Sequence, residues 1–137
     1  MFIHEDLKPK NWASLVLLVD DEASVRKLLS IYLEDAGYKV RSAANGIQAL
    51  VELQDTLPSV IISELVMPRM SGSELIAVVR RRFPTIPIIV FTASTPGEFP
   101  AEAKPDYLLE KNVHRLPDLM QVVNNLVQKT PHSRCLP

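Results

Sequence analysis

Short apolar runs, each stopping at a polar or charged residue, alternate along this chain with segments of helical periodicity. Leu15 to Val19 runs into Asp20-Asp21-Glu22, and Val60-Ile61-Ile62-Ser63 stops at Glu64. Ile86 to Phe91 stops at Thr92, and Tyr107 to Leu109 is followed by Glu110-Lys111. Runs that are apolar at nearly every position belong to strands buried on both faces, as in a parallel sheet covered by helices. Tyr38 to Ser42 alternates and is less apolar, which suits an edge strand. Between the runs, Val25, Leu28, Leu29, Tyr32, Leu33 and Ala36 recur at three- and four-residue spacing and predict a helix closed by Gly37, with Asp21 or Glu22 placed to cap it. Ile47, Leu50, Val51 and Leu53 predict a second helix after the Asn45-Gly46 turn. Leu75, Val78 and Val79 predict a third, opened by the capping-box pair Ser71 and Glu74 and ending in Arg80-Arg81-Arg82. Leu116, Leu119, Met120, Val123, Leu126 and Val127 predict the last.

Ser94 to Asp106 carries Pro96, Gly97, Pro100 and Pro105, a density that no regular helix tolerates through its middle. The sum is α/β: a flavodoxin-like, doubly wound sheet of five parallel strands in the order 2-1-3-4-5. Helices cover both faces, and the fourth helix position is short or missing. At 137 residues this is one domain, spanning 14–129 between an N-terminal arm, 1–13, and a C-terminal tail, 130–137. Trp12 in the arm is expected to pack on the domain rather than on a partner.

Charge excludes some partners. Fifteen Lys and Arg against sixteen Asp and Glu leave a net charge of −1, which gives no pull toward nucleic acid or an anionic membrane. The arginine run has no interleaved aromatics, so it reads as a solvated helix end suited to the C-terminal dipole. The lone Cys135 allows no internal disulfide, and no signal-peptide core or membrane-length apolar run occurs, so the expected compartment is the cytoplasm.

In this winding the ends of the first and third strands flank the topological switch point, which brings Asp20, Asp21 and Glu64 together. Thr92 and Lys111 end the fourth and fifth strands on the same edge. Alone, each has a bland reading: the acids as a helix cap, the threonine as a strand former, the lysine as a solvated charge. Together, three carboxylates, a hydroxyl and a lysine suit a hard divalent cation and a phosphoryl group.

These residues carry a family resemblance. Val16-Leu17-Leu18-Val19-Asp20-Asp21-Glu22 resembles the acidic-pocket motif of the CheY-like receiver domains of two-component response regulators. Met67-Pro68 with Ser71-Gly72 resembles the segment after their phosphoacceptor, and Ile88-Ile89-Val90-Phe91-Thr92-Ala93 resembles their switch strand. The match runs over about residues 14–129. It implies Mg²⁺ held by Asp20, Asp21 (directly), Glu64 and the Val66 carbonyl, with Thr92 as switch hydroxyl and Lys111 as the phosphate-contacting lysine. Glu110 competes with Lys111 for that slot; the family's aromatic-Leu-Glu-Lys ending aligns with Leu108 to Lys111 and favours Lys111, though the usual following proline is replaced by Asn112.

The family's phosphoacceptor aspartate, three residues before Met67, is here Glu64, longer by one methylene or about 1.5 Å of reach. That length displaces the carboxylate from the in-line position phosphoryl transfer demands and weakens the implied metal site. Three readings follow. Glu64 reaches Lys111 and Thr92 and imitates a phosphorylated aspartate; or the domain has lost phosphorylation and is a constitutive or differently regulated interaction module; or Glu64 still accepts a phosphoryl group. The leading expectation is a non-enzymatic receiver-type signalling protein of a two-component phosphorelay, stand-alone or excised from a longer chain, with no DNA-binding output segment after the last helix. Its implied partners are a histidine kinase or phosphotransfer protein, if phosphorylation survives, and a downstream effector. It would be a monomer or weak homodimer. The alternative from another class is an Mg²⁺-dependent phosphohydrolase using the same acids, which lacks an aspartate nucleophile and a cap domain here. A flavin or nucleotide site is weaker, because the first strand-to-helix turn carries acids where phosphate needs glycine-rich backbone donors.

Overall fold

The computed structural model describes residues 14–129, so the arm with Trp12 and the tail with Cys135 lie outside the described residues. Strands β1 (Leu15–Val19), β2 (Lys39–Ala43), β3 (Val60–Ser63), β4 (Ile88–Thr92) and β5 (Tyr107–Glu110) alternate with helices α1 (Ala23–Asp35), α2 (Gly46–Asp55), α3 (Gly72–Arg82) and α4 (Leu116–Lys129). All pairings are parallel and the order is β2-β1-β3-β4-β5, the expected doubly wound sheet. Because side chains alternate along each strand, the sheet feeds two cores. Leu17, Val19, Ile61, Ile88 and Val90 meet α2 and α3 on one face, while Val16, Leu18, Ile62 and Ile89 meet α1 and α4 on the other. Among the described residues no helix is long and apolar enough to cross a membrane.

Local chemistry explains the helix starts. The Asn45 side chain accepts from Gln48 N at 2.9 Å to open α2. Ser71 and Glu74 close a reciprocal capping box at α3, as their spacing predicts. At α1 the outcome differs from expectation: Glu22 is the N-cap, but its side chain makes no capping bond. The carboxylate of Asp20 instead accepts from Glu22 N, because the chain turns sharply at the sheet's edge before the helix starts. The apolar positions of α1 also span more than the face that packs. Leu29 and Leu33 are buried, whereas Leu28 and Tyr32 stand in solvent.

Between β4 and β5 the only helical element is a single 3-10 turn, Ala101–Ala103. Ala103 and Phe99 cover the sheet face there in place of a helix. Arg80 holds this segment down. Its guanidinium donates to Lys104 O at 2.8 Å and Ile86 O at 3.1 Å, and pairs with Asp106 at 2.9 Å. The arginine run is therefore not wholly a solvated helix end: Arg81 and Arg82 are exposed, but Arg80 is a structural clamp, needed because the prolines leave carbonyls that no helix satisfies.

Candidate functional site

The ladder bonds carry the strand ends into register at one edge. Asp20 N donates to Ala43 O, Glu64 N to Val19 O at 2.8 Å, and Lys111 N to Thr92 O at 2.7 Å. Asp20, Glu64, Thr92 and Lys111 thereby meet. Asp20, Glu64 and Thr92 are all buried.

Lys111 is the centre of the group. Its ammonium lies 2.9 Å from Asp20 Oδ2 and 3.1 Å from Glu64 Oε1, and 5.6 Å above the centre of the Phe91 ring. The second oxygen of each carboxylate is also used. Asp20 Oδ1 accepts from Glu22 N. Glu64 Oε2 accepts from Leu65 N at 2.6 Å and from Val66 N at 3.3 Å. The Thr92 hydroxyl accepts from Ser94 N at 3.0 Å and stands near enough to the Glu64 carboxylate to favour its ionised form. Lys111, not Glu110, bonds the two buried acids; the backbone N–H and C=O of Glu110 bond to His114 Nδ1 and to the N–H groups of Val113 and His114, which fixes the turn after β5.

The expected metal ligands do not gather into one set. Asp21 is exposed, and among the described residues no three His, Cys, Asp or Glu side chains stand together to hold a metal. The physical reason is on view: an ammonium already lies between Asp20 and Glu64, so the two acids face a fixed cation. The donors are hard oxygens of the right type, but as placed they do not fit a divalent ion.

The extra methylene of Glu64 has a local cause and consequence. Side chain and backbone curl together, so the carboxylate folds back onto the two N–H groups that follow it in the chain. Behind this curl, α3 presses on the strand end. A Cβ on Gly72 would stand 2.5 Å from Glu64 O and 2.9 Å from Leu65 Cα, while Gly72 N donates to Leu65 O at 2.8 Å. The loop between is tight, with Arg69 at φ 72° and Met70 N bonded to Pro68 O. Ser63, on the far side of the strand, is fully buried and donates to Glu64 O at 2.8 Å. The contacts of Gly72 and Phe91 escape sequence reasoning; only the Ser71-Gly72 pair hinted that α3 begins close to the site.

Burial pushes the Glu64 carboxyl up, but the Thr92 hydroxyl, Lys111 and the Leu65 N–H together hold it below its ordinary 4.5. Burial pulls Lys111 down, but its bonds to Asp20 and Glu64 hold it above 10.5. A depressed carboxyl gives stability that is present above its unfolded value and is lost as pH falls through the folded one; a raised lysine gives stability present below 10.5 and lost as pH climbs through its folded value. The expected result is a stability plateau between these limits, with a fall below pH 4.5 that is shallower in Glu64→Gln. Urea titrations across pH check it, and identical acid limbs in the two proteins would remove Glu64 from the account.

The fold and edge chemistry agree with comparison to known proteins. The family model for the response regulator receiver domain matches residues 16–124. Response regulator Rre1 of Synechocystis sp. is 41% identical over 81 residues, covering 57% of this chain and 35% of Rre1, so the match spans about a third of that relative's length. The chemotaxis protein CheY4 of Vibrio cholerae has a solved structure 34% identical, with a TM-score of 0.75 over 83% of this chain and 98% of that one. The response regulator TrrA of Thermotoga maritima, solved in complex with Mg²⁺-BeF, is 28% identical, with a TM-score of 0.76 over 82% of this chain and 98% of its own. The chain belongs to the response regulator receiver domain family, the CheY-like signalling domains of two-component systems.

Proposed function

We propose that this receiver works as a phosphorylation-independent module, in which Glu64 stands at the phosphoacceptor position and holds the pocket in a permanently engaged state. The signalling unit is residues 14–129, acting in the cytoplasm through contacts with a downstream effector protein. One observation carries the reading. The Glu64 carboxylate already takes the Lys111 ammonium and two backbone N–H groups, with the Thr92 hydroxyl favouring its ionised form, the kinds of partner a phosphoryl group on a shorter side chain would recruit. The extra methylene brings negative charge to the lysine and hydroxyl without chemistry.

The same bonds argue against Glu64 as a nucleophile. A carboxylate with both oxygens bonded and only 7% of the residue exposed is held away from the open approach an incoming phosphoryl group needs. That counts equally against a phosphohydrolase. Mg²⁺ belongs to this proposal only in weakened form, since the ion would have to draw Asp20 and Glu64 away from Lys111 and recruit the exposed Asp21. A histidine kinase or phosphotransfer protein is then a partner for docking rather than a phosphoryl source.

The test is intact-mass measurement after incubation with a small phosphodonor and Mg²⁺, on the wild type and Glu64→Asp. The wild type is expected to stay unlabelled, and the shorter side chain to gain one phosphoryl group. Stoichiometric label on the wild type would overturn the reading. Absence of label from both would mean the rest of the pocket has also lost competence, which still leaves the module phosphorylation-independent.

A further inference from the structure

The outward face of α1 has the wrong composition for a helix surface that meets only water. Leu28, Ile31 and Tyr32 are 47%, 54% and 44% exposed, and at i, i+3 and i+4 they form one contiguous apolar stripe. The charges beside it are also set against the helix's own interest. Glu34 and Asp35 lie in the last turn, where the dipole disfavours acids and which contains no basic residue, while the exposed Lys27 lies toward the other end. Among the described residues none of these three charges makes an ion pair. A stripe that stays exposed, with a cation toward one end and anions at the other, is self-complementary when inverted.

We infer that α1 is a homodimerisation surface, on which a second copy of this chain packs its own α1 antiparallel, Leu28, Ile31 and Tyr32 against their counterparts and Lys27 opposite Glu34 and Asp35 of the other copy. A two-fold axis through the stripe makes both charge contacts at once, as an isologous interface requires. Antiparallel packing also sets the positive end of each helix beside the acidic end of its neighbour, which relieves the misplacement of Glu34 and Asp35. An inverted copy fits this stripe because the two ends of the same helix carry opposite charge, so inversion pairs them on both sides of the axis. The contact does not involve Asp20, Glu64 or Lys111, so it is independent of how the pocket works.

One helix per copy is less than the roughly 800 Å² a side of a standard interface, so the dimer is weak, with a dissociation constant of about 100 µM. Sedimentation of the full chain, with reductant present to keep Cys135 unlinked, is expected to show the mass rising from 15.3 kDa toward twice that value as concentration increases from about 10 µM to about 1 mM. Ile31→Glu, at a solvent-exposed position that folding tolerates, is expected to weaken association about tenfold or more. Lys27→Glu and Asp35→Lys should each weaken it, and the two together in one chain should restore it. A wild type that remains monomeric throughout overturns the inference. So does a dimer unaffected by Ile31→Glu, or one that the paired charge reversal fails to rescue.

Discussion

Lys111→Met is expected to lower the unfolding free energy by about 3 kcal/mol and the melting temperature by roughly 10 °C. The ammonium lies between Asp20 Oδ2 and Glu64 Oε1, and both carboxylates are more than nine-tenths buried. Methionine fills much the same volume but supplies no charge, so two buried anions face each other with only N–H groups and one hydroxyl to hold them. The estimate stands at the lower end of the range for breaking a buried pair because the Lys111 side chain keeps 15% of its surface in water. The pH dependence separates this mechanism from simple loss of packing. In the wild type Glu64 is held down and stability falls on acidification. In Lys111→Met burial acts with less opposition and pushes the carboxyl up. A raised group contributes stability below its unfolded pKa and loses it as pH rises, so the variant should lose less than the wild type, or gain, on going to acid. Adding Glu64→Gln to Lys111→Met should recover most of the deficit at neutral pH. A double variant as unstable as the single one would show that the lysine does not act by compensating the charge of Glu64.

What the sequence disclosed follows from what its signals measure. The unbroken apolar runs at Leu15 to Val19 and Ile88 to Phe91 read as strands buried on both faces, and five strands with helical spacers leave few windings. The edge residues Asp20, Glu64, Thr92 and Lys111 were legible because a parallel sheet puts every strand end on one side. Direction of the side chains was not legible. Asp21 sits beside Asp20 in sequence, yet the turn into α1 sends one residue inward and its neighbour to solvent. Arg80 matched Arg81 and Arg82 by composition and differs only because it lies beside carbonyls at Ile86 and Lys104 that a missing helix leaves open. Leu28 and Tyr32 fitted the spacing of α1 but fall on the margin of a stripe wider than the packed face. Periodicity gives a helix's apolar arc; only tertiary packing decides how much of that arc is covered.

Gly72→Ala is the second change expected to have a large effect, and it tests whether α3 holds Glu64 in place. The residue is not glycine for its backbone angle, since the only glycine with positive φ among those described is Gly37. It is glycine because Glu64 O and Leu65 Cα approach to within 2.5 and 2.9 Å of where a Cβ would stand, and both are backbone atoms that no rotamer change can move. Relief requires α3 and the strand end to separate by about 1 Å, which opens packing around the buried Leu75 and Ile76 and costs about 2–3 kcal/mol. Better helix propensity returns at most about 1 kcal/mol, so the net loss is about 2 kcal/mol in chemical denaturation. The larger consequence is at the pocket. Displacing Glu64 O and the Leu65 peptide loosens the 2.6 Å bond from Leu65 N to Oε2, one of the contacts that keep the carboxylate curled. The Glu64 carboxyl is therefore expected to titrate nearer its ordinary value in Gly72→Ala than in the wild type, followed by the side-chain carbonyl resonance through an acid titration. Loss of stability with an unmoved Glu64 titration would mean that Lys111 and Thr92 fix the carboxylate by themselves. An alanine variant as stable as the wild type would mean the close approach of α3 is not rigid, and that the position of Glu64 is set from the sheet alone.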